Sequence, residues 1–191
     1  MRNLLMIFAL TFMAFASQAQ VDLKINPIGT IFGSPDLSAE FAASDKIGVE
    51  LVAGPVANSF NLTDVDFKRR GFTGYVAGKY YINPNRGMDN LSIGLYAKTR
   101  LINYNAEVEE EADQNFQRTK IALGFLVSQK WVSDNNLVFG LDAGLGRTIT
   151  NRYSYDNEDQ SSVDLASLPF LNIDGIFRIS VGYRFGGSNL K

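Results

Sequence analysis

Residues 171–185 read LNIDGIFRISVGYRF, and this stretch decides the fold of the chain. Apolar and polar side chains alternate along it, and only Ile176 breaks the alternation. A period of two places apolar side chains on one face of a strand and polar ones on the other. A tilted strand crosses a bilayer with roughly 9 to 11 residues. The stretch therefore predicts a membrane-crossing β-strand that ends in the aromatic residues Tyr183 and Phe185.

Seven more segments carry strand patterns bounded by turn residues, so the sequence predicts eight strands. They cover residues 21–32, 36–43, 47–57, 71–82, 91–103, 118–132, 137–150 and 171–185. The predicted fold class is all-β, an eight-stranded antiparallel up-and-down transmembrane β-barrel. The facing of strand 71–82 stays open because it is rich in glycine and aromatic residues. Lys79 is placed inward, since a lysine facing lipid at mid-bilayer costs about 2 to 4 kcal/mol.

The N-terminus has the pattern of a secretory signal peptide. Residues 1–19 carry an early basic residue, an apolar core from Leu4 to Phe15, and small residues at Ser17 and Ala19. Cleavage before Gln20 would leave residues 20–191 as one barrel domain. The apolar run is shorter than the ~20 residues of a spanning helix, which disfavours a membrane anchor. The chain has no cysteine, which excludes disulfides and thiolate metal sites.

Composition argues against several classes of function. The chain has 18 Lys and Arg against 20 Asp and Glu, so it lacks the basic excess used to bind nucleic acid. It has no histidine, which removes the commonest general base and most transition-metal sites. Carboxylates cluster near residues 107–113 and 156–164, but neither run has calcium-loop spacing. We therefore predict no enzymatic activity, no cofactor and no metal site, and the alternative is that these loops bind Ca²⁺ or Mg²⁺ and so bridge to lipopolysaccharide.

The predicted connections alternate in length. Residues 44–46, 83–90 and 133–136 are short and rich in turn residues, so we predict that they face the periplasm. Residues 58–70, 104–117 and 151–170 are long and polar, and we predict three outer loops there. The connection at residues 33–35 is short.

The polar strand faces predict a packed, charged lumen, and the apolar faces predict contact with lipid. Glycines on the polar faces would make room for lysine and arginine side chains in a narrow barrel. The predicted lumen charge network, structural in role, is Lys24, Glu40, Glu50, Lys79, Lys98, Arg100, Lys120, Lys130, Asp142, Asp174, Arg178 and Arg184. The predicted periplasmic aromatic girdle is Phe41, Tyr80, Trp131, Phe139, Tyr183 and Phe185.

The signal peptide, the eight alternating strands and the closing segment Ile179–Phe185 resemble the small outer-membrane β-barrels of Gram-negative bacteria. The phrases Leu23–Pro27 and Leu37–Phe41 are similar to a family of uncharacterised barrels of unknown function. The resemblance implies that barrel-assembly machinery reads residues 179–185. It also implies a multi-pass protein of the cell outer membrane.

The predicted function is that of an integral, monomeric outer-membrane barrel with a structural or surface-interaction role through its outer loops. Its expected partners are outer-membrane lipid, lipopolysaccharide and a surface partner, and not nucleic acid. Three alternatives stay open. They are a lipid-modifying enzyme that uses carboxylates, a narrow porin-like pore, and a soluble lipocalin-like calyx for a hydrophobic ligand.

Overall fold

The computed structural model describes residues 20–62, 65–108, 114–155, 163–164 and 172–186. These residues form a mainly β structure with one short helix. The elements are β1 (Val21–Ile25), α1 (Pro27–Ile31), β2 (Leu37–Ser44), β3 (Ile47–Leu62), β4 (Val65–Tyr81), β5 (Asn90–Val108), β6 (Gln114–Val132), β7 (Leu137–Tyr155), β8 (Val163–Asp164) and β9 (Ile173–Phe185). The predicted signal peptide, residues 1–19, lies outside the described residues.

Eight of these strands form a closed antiparallel ring. From β1 to β7 each strand pairs with the next one along the chain, and β7 pairs with β9. The ring closes where β1 pairs with β9, from Val21 opposite Phe185 to Ile25 opposite Val181. The two-residue β8 pairs with β7 beyond the end of the β7–β9 ladder. The predicted fold class, an eight-stranded up-and-down barrel, is confirmed.

The predicted first strand, residues 21–32, is wrong beyond Ile25, because α1 begins at Pro27. The Asn26 side chain caps this helix by accepting a hydrogen bond from the Gly29 N–H at 2.9 Å. Proline cannot donate to a strand ladder, but it fits the first turn of a helix. The chain therefore leaves the barrel wall after only five residues of β1.

Strands extend into all three predicted outer loops. Leu62 at the end of β3 pairs with Val65 at the start of β4, so a connection of two residues replaces the loop predicted at residues 58–70. Likewise β5 runs to Val108, β6 starts at Gln114 and β7 runs to Tyr155. Hydrogen bonds between strands join backbone groups and do not require apolar side chains. The hairpins therefore continue as polar strands after the apolar pattern ends.

The described barrel is apolar outside and polar inside. Outward residues on every barrel strand are large and exposed, with Phe125 at 74% and Leu145 at 72%. Inward carboxylates such as Glu40 and Glu50 are 0% exposed. Soluble proteins have the opposite arrangement, and a continuous exposed apolar belt marks a surface that meets lipid. A soluble calyx for a hydrophobic ligand requires an apolar interior, whereas the described interior is polar.

The facing of β4, left open by the sequence, is settled by burial. Lys79 and Tyr81 point inward and are 3% and 0% exposed, whereas Val76 and Tyr80 are exposed at 42% and 48%. Lys79 thus occupies the predicted side. Within the described ranges, the structure contains no helix with the length and hydrophobicity needed to cross a membrane.

Candidate functional site

The barrel interior holds a continuous chain of ten ionic side chains in which acids and bases alternate. Its consecutive contacts, all between 2.5 and 3.3 Å, run Arg184–Asp22–Lys130–Glu40–Lys24–Glu50–Lys79–Asp142–Arg178–Asp36. We call these ten residues the lumen network. It draws a side chain from each barrel strand except β5, so it connects the wall across the interior.

The lumen network is electrically balanced and tightly bonded. It contains five carboxylates and five cations, so its formal charge is zero. Glu50 lies at a branch point, 2.8 Å from Lys24, 2.5 Å from Lys79 and 3.0 Å from Arg178. Removing a charge from water costs several kcal/mol, and a buried ion is tolerated only when oppositely charged partners surround it. The alternation of sign supplies those partners.

The ion pair with the most directional hydrogen bonds in this network lies where the barrel closes. Asp22 of β1 and Arg184 of β9 are opposite each other in the closing ladder. The Arg184 guanidinium donates through Nε to Asp22 Oδ1 at 2.7 Å and through Nη2 to Oδ2 at 2.9 Å. Two parallel hydrogen bonds between a guanidinium and a carboxylate are stronger and more directional than a single contact. Arg184 Nη2 also donates to the Met88 carbonyl at 2.8 Å, which fixes the connection between β4 and β5.

A second, smaller cluster lies on the inner faces of β5, β6 and β9. Asp174 contacts Lys98 at 3.1 Å and Lys120 at 3.0 Å. Arg100 follows Lys98 on the same face of β5, and its buried Nε has no hydrogen-bond partner among the described residues. Two lysines therefore contact one carboxylate here, and Arg100 adds a third cation to the region. In contrast to the lumen network, this region has an excess of positive charge.

Apolar residues occupy part of the interior as well. Ile176, which interrupts the sequence alternation, points inward and packs with Ala77, Tyr96 and Leu126. A Cβ added at Gly124 would lie 2.6 Å from Tyr96 Cε1, and one added at Gly146 would lie 2.5 Å from Tyr96 Oη. The expectation that inward glycines make room for lysine and arginine is wrong at these two positions, where the space is filled by the Tyr96 ring.

The structure places all twelve residues of the predicted lumen network on the inner side, in the two clusters described above. Asp22 and Asp36 are two further members that were not predicted, and both pair with lumen arginines. Tyr81, whose hydroxyl donates to Glu40, was not predicted either. The period-two rule applied to Val21–Ile25 would have placed Asp22 beside Lys24 on the inner face.

The six residues of the predicted aromatic girdle lie at the end of the barrel with the short turns. Trp131 and Phe139 are opposite each other across the β6–β7 turn, and Tyr80 is opposite Ile47 where β3 starts. Tyr183 and Phe185 end β9, with ring centroids 5.0 Å apart. Phe41 is opposite Val21 in the neighbouring ladder. Five of the six are between 42% and 52% exposed, and Phe41 is half-buried.

Among the described residues, no group of three or more His, Cys, Asp or Glu side chains is arranged to hold a metal ion. Most of the two carboxylate-rich runs considered for calcium lies outside the described residues. The carboxylates concerned are Glu109, Glu110, Glu111, Asp113, Asp156, Glu158 and Asp159. The backbone of Glu107 belongs to β5 and that of Asp164 to β8.

An apolar exterior, a charged interior and closed strand pairing together define an eight-stranded transmembrane β-barrel. The family described as "Protein of unknown function (DUF3575)" matches residues 4–166, and the chain belongs to this family. The predicted resemblance to uncharacterised barrels of unknown function is therefore confirmed. A search of the curated proteins finds no match.

Two solved structures resemble the chain. A major outer membrane protein from Thermus thermophilus aligns with a TM-score of 0.58 at 15% identity, over 87% of this chain and 99% of the other. Neisserial surface protein A (NspA) aligns with a TM-score of 0.39 at 16% identity, over 87% of this chain and 94% of the other. The likeness to the Thermus protein shows a shared fold.

Proposed function

We propose that this protein is an integral barrel of the cell outer membrane, exported by the signal peptide at residues 1–19, with a closed lumen and a structural or surface-interaction role. The observation that carries the proposal is the lumen network. Its ten paired side chains span the interior and leave no net charge to attract a passing ion. A small barrel has an interior only wide enough to be filled by side chains.

The proposal assigns the barrel no enzymatic activity. The interior carboxylates are held by cations at contact distance, as Asp142 is by Lys79 and Arg178. A carboxylate committed to such pairs is a poor general base or nucleophile, because proton uptake or attack would break a buried ion pair. The chain also has no histidine or cysteine to replace it.

The surface role would belong to the polar ends of the hairpins. At the ends of β5, β6 and β7, Tyr104 stacks on Phe116 with ring centroids 4.6 Å apart, and Tyr153 lies 6.1 Å from Phe116. Arg118 lies over the Tyr153 ring at 5.1 Å. Aromatic and arginine side chains are the residue types that anchor protein interfaces. We propose that these hairpins bind lipopolysaccharide and a surface protein. We also propose that the barrel is a monomer when it binds them.

Single-channel recording in planar bilayers tests the closed lumen. The full mature chain should show no steady conductance. A Glu50→Ala/Lys79→Ala double variant should conduct, since it removes a matched acid and base from the middle of the lumen network. The control is Arg86→Ala/Asp134→Ala, which removes an exposed pair at 2.5 Å outside the lumen. Steady conductance by the unaltered protein would overturn the proposal.

A further inference from the structure

The barrel wall has a lateral gap beside α1. The closing ladder between β1 and β9 stops at Ile25 and Val181, so residues 173–180 of β9 extend beyond it. On the other side of the gap, β2 starts only at Leu37, opposite Ala53, and β3 continues to Leu62. Among the described residues, no strand pairs with residues 173–180 on the side of β1. Helix α1 and the segment after it occupy the space between β3 and β9.

The segment in the gap is anchored at two points. Gly33 accepts a backbone hydrogen bond from Ala57 of β3 at 2.8 Å. Asn26 donates to Asp36 at 2.7 Å, and Asp36 in turn accepts from Arg178 of β9 at 2.7 Å. These contacts hold α1 in position without completing the strand ladder. The wall here is thus a helix with side-chain contacts in place of paired backbone.

A cavity of about 500 Å³ lies at this gap. Ordinary small-molecule sites enclose about 300 to 1,000 Å³, so the volume suits a ligand of modest size. Residues of α1 and its C-terminus line one side, and residues of β9 line the other. Both outward and inward side chains line it, so the cavity lies between the outer surface of the barrel and its interior.

The two ends of the cavity differ in chemistry. Its outer end has Ile28, Phe32 and Phe177, and the two phenylalanines are 68% and 71% exposed. Its inner end has Lys98 and Arg100, which belong to the cationic cluster beside Asp174. Arg100 Nε is one of the buried donors that lack a partner among the described residues. The apolar end suits a hydrocarbon chain, and the cationic end suits an anionic group.

The height of the cavity places its apolar end at the boundary of the hydrocarbon. A membrane-crossing strand takes roughly 9 to 11 residues. Counted from the aromatic girdle at Phe185, this length reaches the other face of the hydrocarbon near residues 175–177. Phe177 therefore lies where the hydrocarbon ends on the side opposite the girdle, within reach of a lipid-borne chain.

We propose that this cavity binds a single-chain anionic amphiphile, which enters sideways from the membrane. Its hydrocarbon chain contacts Ile28, Phe32 and Phe177, and its carboxylate or phosphate accepts hydrogen bonds from Lys98 and Arg100. The proposal rests on the membrane location proposed above and adds a ligand class to it. The lumen network stays closed, because the ligand meets the cationic cluster and not the network's centre.

Binding of radiolabelled laurate to the full mature chain in phosphatidylcholine nanodiscs tests the site, with empty nanodiscs correcting for partition into lipid. Laurate should bind saturably. Arg100→Gln should weaken its affinity about tenfold or more, since a hydrogen bond to a charged group is worth about that factor. Arg69→Gln removes a cation from the inner side of β4 but outside the cavity, and should leave the affinity unchanged.

A matched glycine pair tests the route of entry. Gly175 and Gly78 are both outward glycines of the barrel wall, and an added Cβ meets nothing within 4 Å at either position. Only Gly175 lines the cavity. Gly175→Leu should therefore abolish laurate binding, and Gly78→Leu should preserve it. Heat-modifiable migration on a detergent gel confirms that each variant is a folded barrel.

Four results would overturn the proposal. They are an absence of saturable laurate binding by a folded barrel, equal affinity for dodecanol, equal affinity for inorganic phosphate, and unchanged binding by both Arg100→Gln and Gly175→Leu. Equal affinity for dodecanol would show an apolar groove without a head-group site. Equal affinity for phosphate would show an anion site without a chain site. A chain that shows no heat-modifiable barrel would instead contradict the membrane barrel itself.

Discussion

At the scale of single residues, burial shows which inward positions need charge and which need bulk. Ile176 interrupts the alternation of apolar and polar residues in the sequence. In the structure its side chain points inward, as those of Asp174 and Arg178 do. It packs on Tyr96, whose ring takes the space left by Gly124 and Gly146. A pattern of apolar and polar letters cannot separate an inward isoleucine from a fault in the pattern.

Glu50→Gln should lower the free energy of unfolding by about 3 to 5 kcal/mol. The carboxylate contacts three buried cations, and removing one partner of a buried pair leaves the others uncompensated. Urea unfolding of the barrel in lipid vesicles measures the change. The control is Asp134→Asn, which removes half of an exposed pair with Arg86 and should cost less than about 1 kcal/mol. Equal losses in both variants would contradict a network that depends on burial.

Gly124→Ala should destabilise the barrel by about 1 to 3 kcal/mol, because the added Cβ would lie 2.5 Å from Gly146 Cα and 2.6 Å from Tyr96 Cε1. Gly78→Ala adds the same methyl group where an added Cβ meets nothing within 4 Å. It should be neutral or slightly stabilising. Unfolding midpoints measured under identical conditions compare the two. A Gly124→Ala midpoint that matches the Gly78→Ala midpoint would show that the space around Tyr96 adapts freely.

At the scale of elements, the strands were predictable where one face meets lipid and the other faces the lumen. Both environments constrain the side chains there, so β9 and the first part of β7 appear in the sequence as alternating letters. Beyond the apolar belt the strands are held by backbone hydrogen bonds, which impose no alternation of apolar and polar residues on the sequence. The sequence therefore predicts the short turns well. At the opposite end of the barrel, the strands predicted for β3 to β7 are too short.

Helix α1 could have been recognised from local chemistry. Asn followed by Pro combines a favoured helix cap with the residue that fits the first helical turn. The observed Asn26 makes the capping contact with Gly29 and also contacts Asp36. What no local signal shows is that this helix fills a gap between β3 and β9, since that depends on residues far apart in the chain.

Asn26→Ala should cost about 1 kcal/mol of stability, the usual value of a helix cap. It should also speed hydrogen exchange in residues 27–35, because both anchoring contacts of the Asn26 side chain are lost. Hydrogen exchange followed by mass spectrometry measures this on the folded barrel. Ile31→Ala, at an exposed position of the same helix, serves as the control. Faster exchange spread evenly over β4 to β7 would show that the cap does not act locally.

At the scale of the whole molecule, closure depends on pairing between the first and the last strand. The ladder from Val21–Phe185 to Ile25–Val181 makes a ring of the sheet, and the paired Asp22 and Arg184 lie within it. A sheet left open in a membrane would expose unpaired backbone groups, each of which costs several kcal/mol. The end of the chain thus has a structural role apart from the proposed recognition by assembly machinery.

Truncation separates the closing strand from the residues that follow it. A chain that stops after Gly186 keeps the whole β1–β9 ladder and should still give a heat-modifiable barrel. A chain that stops after Ser180 loses Val181–Phe185 and with them all partners of β1 in β9, so it should fail to fold. Refolding into lipid vesicles without assembly machinery measures closure alone. Folding of the shorter chain would show that this ladder is dispensable.

The amino-acid sequence by itself determined the strand number, the lipid-facing side and most of the lumen charges, because each depends on a period of two that a strand imposes locally. The tertiary structure alone decided how the charges pair, that Asp36 joins the network, and that the wall opens beside α1. Those features join residues distant in the chain, such as Arg178 with Asp36 and Glu50. Pairing of this kind follows from the closed ring, in which each inward side chain meets partners from across the barrel.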